Sequence, residues 1–464
     1  MESPLSAKIV RIGGALGFWG DRHDALFDLL KGGPLDYVMM DYLAEVTMSI
    51  LQKQRLKTPG LGYAHDFIPV IKKALPLLRA KRVRLIANAG GLDPLECARA
   101  LARAAVEAGF PDLKIGVVSG DDLMPELPRL AAQGVRLDHF DSGASQDGIP
   151  SPVLSANAYL GAFPIAAALA RGAEIVVTGR VNDAALVLGP LIHEFKWKDS
   201  DYDRLASGTI AGHLLECGGQ ASGGNFNGDW QKVPALERLG YPIAEVDETG
   251  DFTMTLHPGQ GGLITPAVLK EQLLYEIGDP ADYRVADVRC DLTALELEDL
   301  GQNRVRVRGA RGGAPTADFK VSMTYAGGYK IAVGLIYTWP DCLAKARAGA
   351  ALFLARLEKL GLLYQDHFVS ILGHDGVHGP MSQKNSNPDE VYLRIAFRVA
   401  DHETAERISR EVASHIVSGI PTATGLDARP SPQKEVLFWP SRIAKALVSP
   451  VVTLLEASEK ADPR

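Results

Sequence analysis

Cysteine is scarce in this chain. There are four in 464 residues (Cys97, Cys217, Cys290, Cys342), with no CxxC pair, so neither a zinc ribbon nor a disulfide framework is expected. A basic excess is lacking as well. The formal net charge is −7, which argues against nucleic acid or an anionic membrane as partner, since both want a basic face. The longest apolar run, residues 159–170, stops at Arg171 and is too short to span a bilayer. The opening residues Met1-Glu2-Ser3-Pro4 lack the basic-then-apolar pattern of a secretory leader, so a cytoplasmic, reducing location is expected. There is no Walker lysine, no G-x-S-x-G elbow and no H-E-x-x-H. With 46% hydrophobic and 23% charged residues, the composition is that of a soluble globular protein. Its length predicts two or three domains.

Short runs rich in Val, Ile and Leu occupy residues 8–12, 36–40, 83–87, 114–118 and 174–177. Amphipathic stretches separate them, such as 93–108, where Leu95, Ala98, Leu101 and Ala105 share one helical face. Continuous apolar strands between helices predict a doubly wound, mainly parallel α/β sheet. A glycine-rich middle segment, 206–266, follows. The last third reads β-α-β-β-α-β. Its strands are expected at 320–325 and 330–337 around a Gly327-Gly328 turn, then at 368–372, 391–399 and 435–438, with helices at 341–360 and 401–418. That order predicts an α+β, ferredoxin-like module. The expected division is 1–280 as the α/β domain with glycine-rich ligand loops and 281–464 as the α+β domain.

The ends of the five apolar strands carry glycine or acidic residues: Gly13-Gly14, Asp41 with Glu45 one turn on, Asn88-Ala89-Gly90, Gly120-Asp121-Asp122, and Gly179-Arg180-Val181-Asn182-Asp183. Any one such loop is explained by turn and helix-cap chemistry. Five on one rim point to a ligand crevice at the carboxyl ends of the strands. A second cluster, His213, Glu216 and Cys217, is spaced i, i+3, i+4, so the side chains share a helical face. A histidine beside a thiol or carboxylate moves protons near neutral pH; the plain alternative is a core histidine and a buried thiol acting as a small hydrophobe. Gly223-Gly224-Asn225 follows at once, and 257–266 holds a further loop with Gly261. Trp230 and Phe226 are placed to cover an apolar substrate or to pack a core. The glycines at 13, 14, 17 and 20 do not form G-x-G-x-x-G, although Asp41 still mimics a ribose-binding acid.

These motifs resemble the acyclic terpene utilisation family AtuA. The resemblance rests on Ile12-Gly13-Gly14 with Gly20-Asp21-Arg22, the run from Asp36 to Glu45, Asn88-Ala89-Gly90-Gly91, Ser119-Gly120-Asp121-Asp122, Asn157-Ala158-Tyr159-Leu160-Gly161, Thr178-Gly179-Arg180-Val181-Asn182-Asp183 and Ala211-Gly212-His213-Leu214-Leu215-Glu216-Cys217-Gly218. It continues through 257–265 and 271–280. The resemblance implies a place in the breakdown of acyclic isoprenoids, a route running through branched acyl-CoA thioesters. Longer members resemble this chain plus a small C-terminal α/β domain, which implies a separate small partner protein.

The expected activity is therefore hydratase or lyase (enolate-type) chemistry on a branched acyl-CoA or related organic acid. Asp183 or His213 would transfer the proton, with Glu216 beside it and Cys217 as nucleophile or second acid/base. Gly13, Gly14, Asp41, Asn88, Gly90, Asp121, Arg180, Gly223, Gly224, Asn225 and Gly261 would bind substrate, with Arg180 as anion clamp. No cofactor is identified beyond CoA as part of the substrate, and a divalent metal is left open. Two other classes remain: a nucleotide- or NAD(P)-dependent enzyme using the Gly13 rim, and a non-catalytic subunit of a pathway complex. An oligomer is expected.

Overall fold

Val, Ile and Leu at successive positions make strands that bury both faces, and such strands sit at the centre of a helix-covered sheet. The computed structural model describes residues 8–44, 46–149, 152–382, 388–425 and 429–458; Glu45 lies outside them. The chain divides into two compact units. One takes the described residues of Met1–Gly148, Leu154–Met323 and Trp439–Arg464, the other those of Ile149–Val153 and Thr324–Phe438.

In the first unit the elements run β1 (Ile9–Leu16), α1 (Asp24–Gly32), β2 (Tyr37–Met40), α2 (Thr47–Lys57), α3 (Phe67–Lys81), β3 (Arg84–Ala87), α4 (Pro94–Glu107), β4 (Lys114–Ser119), α5 (Leu127–Ala132), β5 (Val153–Ala158), α6 (Phe163–Ala170), β6 (Ile175–Thr178), α7 (Ala185–Phe195) and α8 (Tyr202–Glu216). Then come β7 (Ile243–Asp247), β8 (Phe252–Thr255), α9 (Pro266–Leu274), β9 (Tyr283–Arg284), β10 (Arg289–Asp291), β11 (Glu296–Gly301), β12 (Arg304–Arg308), β13 (Arg311–Gly313), the long β14 (Asp318–Thr338) and, near the C-terminus, β17 (Gln433–Ala444) and β18 (Val451–Glu456). A ten-stranded mixed sheet has the order β11-β12-β8-β7-β1-β2-β3-β6-β4-β18. Its five central strands, β1-β2-β3-β6-β4, are parallel, and they are the five expected from the apolar runs. The flanking strands β7 and β18 pair antiparallel to β1 and β4.

Helices α1, α3 and α4 pack in sequence, as do α6, α7 and α8. Leu26 and Leu29 of α1, Phe67, Ile71 and Leu75 of α3, and Ala98 and Leu101 of α4 share one core with Val38, Leu85, Ile115 and Val177 of the sheet. On α4 the buried face is Cys97, Ala98, Leu101, Ala104 and Ala105. Leu95, expected on it, is exposed, because it lies about 100° around the helix from the centre of that face.

The second unit holds β14 from Thr324, α10 (Cys342–Lys359), β15 (Asp366–Leu372), β16 (Glu390–Val399), α11 (His402–Glu411), α12 (Ser414–Ser418) and β17 up to Phe438. The strand order is β15-β16-β14-β17, and β16 runs antiparallel to both β14 and β15. Ile331, Val333, Phe353, Ile395, Phe397 and Ile408 anchor its core. Two local expectations are corrected. The hairpin at Gly327-Gly328 does not form: Asp318–Thr338 is one continuous strand, in which Gly328 takes φ +86°. The helix expected over 401–418 is split into α11 and α12.

Candidate functional site

Beyond the carboxyl ends of β1, β2 and β6 and the end of α8 lies a cavity of about 410 Å³. Its wall includes Gly17, Asp21, Asp41, Leu43, Arg180, Asp183, Glu216, Cys217, Gln220, Gly224, Asn225, Tyr241 and Glu276. The rim read from strand ends and the helical cluster thus meet at one place, with the first unit supplying every residue.

Asp41 follows β2 directly and is 5% exposed. Its Oδ1 accepts hydrogen bonds from Asn88 Nδ2 (2.7 Å) and from the Leu43 amide (3.0 Å), while Asn88 Oδ1 accepts from the Tyr42 amide at 2.6 Å. Asn88 therefore acts as a brace that aims the carboxyl group. These two Asp41 bonds both go to Oδ1, and the residue lines the cavity. Burial pushes the Asp41 pKa up to about 7, with the charge of Arg180 and the Asn88 bond working against the rise. A carboxyl group near pKa 7 can give or take a proton at neutral pH.

Arg180 is 1% exposed. Its Nη1 donates to the Leu43 carbonyl and its Nη2 to Asp183 Oδ1, and its guanidinium carbon lies 4.1 Å from the centre of the Tyr159 ring. The Arg180 amide donates to Asp121 Oδ2 (2.9 Å), which also accepts from Asn157 Nδ2 (2.8 Å). Asp121 does not line the cavity. It holds the loop that carries Arg180, and burial lifts its pKa to about 6.

On the last turn of α8, His213 Nδ1 donates to Glu216 Oε1 at 2.7 Å. Burial lowers the His213 pKa, but the charge and hydrogen bond of Glu216 outweigh it and the pKa is raised. His213 Nε2 and Glu216 Oε2 are both buried without a hydrogen-bond partner among the described residues. Gln272 Nε2 donates to the His213 carbonyl (3.0 Å), and Gln220 Nε2 donates to Gln272 Oε1 (2.9 Å), tying the helix end to the cavity wall. Cys217 also lines the cavity. Burial raises the pKa of its thiol, and the charges of Glu216 and Asp41 add to the rise, the opposite of what activates a sulfur nucleophile.

Several glycines expected to bind ligand have packing roles instead. Strand β1 continues to Leu16, so Gly13 and Gly14 are in the strand rather than on a loop. A Cβ at Gly14 would lie 2.6 Å from the Leu215 carbonyl oxygen, and one at Gly90 2.6 Å from that of Thr178. At Gly261 a Cβ would meet the Ala235 carbonyl oxygen at 2.3 Å, and Gly223 turns the chain at φ +99°. None of these five lines the cavity, whereas Gly224 and Asn225 do. The loop that carries Gly261 borders another cavity of about 460 Å³, where Arg11 and Arg304 both bridge to Glu245. Trp230 is exposed, and neither it nor Phe226 lines the first cavity.

The sequence did not single out Tyr241, Gln220 or Glu276, which converge on the cavity, the first two from the middle segment and Glu276 from just after α9. Asp21 was visible only within Gly20-Asp21-Arg22; it receives the Gly17 amide (2.8 Å) and the Tyr241 hydroxyl (2.5 Å). Among the described residues, no group of three or more His, Cys, Asp or Glu is placed to hold a metal ion, and no helix is long and apolar enough to cross a membrane.

No curated protein and no solved structure matches the chain. A family model does: that of the acyclic terpene utilisation family protein AtuA, over residues 10–454. The match spans both compact units, including every cavity residue named above, and by it the chain belongs to the acyclic terpene utilisation AtuA family.

Proposed function

We propose that this member of the acyclic terpene utilisation family is an enzyme that hydrates a branched enoyl-CoA, or runs the related lyase reaction. The observation that carries the reading is Asp41: a buried carboxyl group braced by Asn88 on the same cavity wall as Glu216, its pKa raised by burial. Hydration needs a base that takes a proton from water as its oxygen attacks C3, and an acid that returns a proton to C2. Two carboxyl groups in unlike environments suit these roles. Glu216, hydrogen-bonded to His213, is the base; Asp41 is the acid. Arg180 and Asp183 orient the wall rather than clamp an anion, because the guanidinium is already engaged by Asp183, the Leu43 carbonyl and Tyr159. The doubly wound and ferredoxin-like descriptions of the two units, an oligomer and a separate small α/β partner belong to the same proposal.

The test is turnover. Purified full-length chain is incubated with branched enoyl-CoA thioesters, and water addition is followed by loss of enoyl absorbance and by mass. Accumulation of a hydrated or cleaved thioester is the expected result. If folded protein leaves every such thioester intact, alone and with any protein that co-purifies with it from the native host, the enzymatic reading fails.

A further inference from the structure

The second cavity, of about 460 Å³, shares no lining residue with the first and carries the opposite charge balance. Its cations come from strand alternation. In β12, Arg304-Val305-Arg306-Val307-Arg308, both valines are buried and the arginines take the other face. In β1, Arg11 stands between the buried Val10 and Ile12, and its direct antiparallel partner is Glu245 of β7. Arg11 Nε donates to Glu245 Oε1 (3.2 Å) and Arg304 Nη2 to Glu245 Oε2 (2.7 Å). One carboxylate thus holds two guanidinium groups, and one positive charge is left over. The arginine side chains are 37% and 40% exposed and Glu245 only 19%, so the anion is the more covered member of the trio. Asp36, outside the lining, accepts the Arg11 backbone amide at 2.8 Å. It is offset by Lys81, whose charge reaches His257 on the cavity wall. His257 itself adds no charge at neutral pH: burial above all, with Lys81, holds its pKa below the usual histidine range. Its Nε2 donates to the Leu29 carbonyl at 3.0 Å.

We propose that this second cavity is a phosphate-binding site, in which Arg11 and Arg304, tied together by Glu245, grip the phosphate group of a small ligand. Each guanidinium carries five N–H donors on a planar fork, and Glu245 engages one nitrogen of each. A single fork saturates the flat edge of a carboxylate. A tetrahedral phosphate has further oxygens that accept from a second fork, which is why paired arginines suit it. Ile243 and Leu256 give the same wall an apolar floor, against which the organic part of a phosphate ester can lie. The site is independent of the chemistry proposed for the first cavity.

The experiment is calorimetric titration of the full chain at pH 7.5 with phenyl phosphate, inorganic phosphate and benzoate. The wild-type chain is expected to bind the phosphates about fivefold or more tighter than benzoate. Arg11→Gln and Arg304→Gln should each weaken phosphate binding by about tenfold or more, as expected for lost hydrogen bonds to a charged group. Arg304→Lys keeps the charge and loses the fork, and should weaken it by about threefold or more; it decides the matter if thermal melting shows that a glutamine variant has not folded. Tighter binding of phenyl phosphate than of inorganic phosphate identifies the ligand as an ester, and the equal or reverse order identifies it as free phosphate; either result supports the site. The proposal is overturned if the folded wild-type chain binds neither phosphate, if benzoate binds as tightly, or if the folded arginine variants bind phosphate as the wild type does.

Discussion

Asp41 and Asp121 carry a similar signature in the sequence, an aspartate within two residues of the end of an apolar parallel strand, and the structure puts them to different uses. Both are buried, both are steadied by an asparagine (Asn88 and Asn157), and burial raises the pKa of both. They differ in where they sit. A Cβ on Gly179 would lie 2.3 Å from Asp121 Oδ1, so that oxygen is pressed against backbone. Asp41, whose two hydrogen bonds both go to Oδ1, lines the cavity, and Asp121 does not. One carboxylate holds a loop and the other lines the cavity, and only the third dimension distinguishes them.

Substitution at the two positions is the sharpest way to break this pairing. Asp41→Asn should lower kcat on a thioester substrate by about 10²–10⁴-fold, the range for a lost general acid, with the melting temperature nearly unchanged. Equal loss of kcat in a well-folded Asp121→Asn variant would erase the distinction. Arg180→Ala should cost about 3–5 kcal/mol of stability in chemical denaturation, because it removes the buried cation that binds Asp183 and the Leu43 carbonyl. Asp121→Ala should cost less, about 1–3 kcal/mol, since it strands the Asn157 amide and the Arg180 N–H; a cost larger than that of Arg180→Ala would reverse the ranking.

The pH dependence separates the two carboxyl groups in another way. A carboxyl group whose folded pKa is raised stabilises the fold fully below its unfolded value, and that contribution is lost as pH rises through the folded one. For Asp121 the window runs from about 3.8 to 6 and for Asp41 from about 3.8 to 7. Unfolding free energy should therefore fall as pH rises across this range, and Asp41→Asn should remove the part of the slope between about 6 and 7. Activity should fall over the same upper interval, because the acid role needs the protonated form; a rate that climbs from pH 6 to 8 would contradict it. The smallest effect is expected at Cys217, whose thiol is held protonated: Cys217→Ala should keep kcat within about threefold, whereas a covalent role predicts complete loss.

The central parallel strands were legible because apolar runs on a two-sided sheet leave no other economical reading. The His213–Glu216 pair was legible because i, i+3 spacing fixes a shared helical face. The glycines were not. Gly13, Gly14 and Gly90 look in one dimension like ligand loops, and their close approaches to Leu215, Leu29 and Thr178 arise only when helices settle on the sheet. The antiparallel strands β7 and β18 were also hidden, since β18 reaches its place beside β4 from more than 300 residues away. Tyr241 and Glu276 gave no local signal, as each lies in a segment whose own pattern is merely loop or helix end.

The bare α-carbons at positions 14 and 17 have a further consequence. Backbone of the last turn of α8 presses on both: the Leu215 carbonyl oxygen against Gly14, and the Cys217 carbonyl carbon 2.7 Å from where a Gly17 methyl would start. The distance between strand and helix is thus gauged by missing atoms. A single methyl added at either place would act as a shim, lifting the turn that bears Glu216 away from the strand whose neighbour leads into Asp41. The spacing of the two carboxyl groups is written in residues that carry no functional group at all.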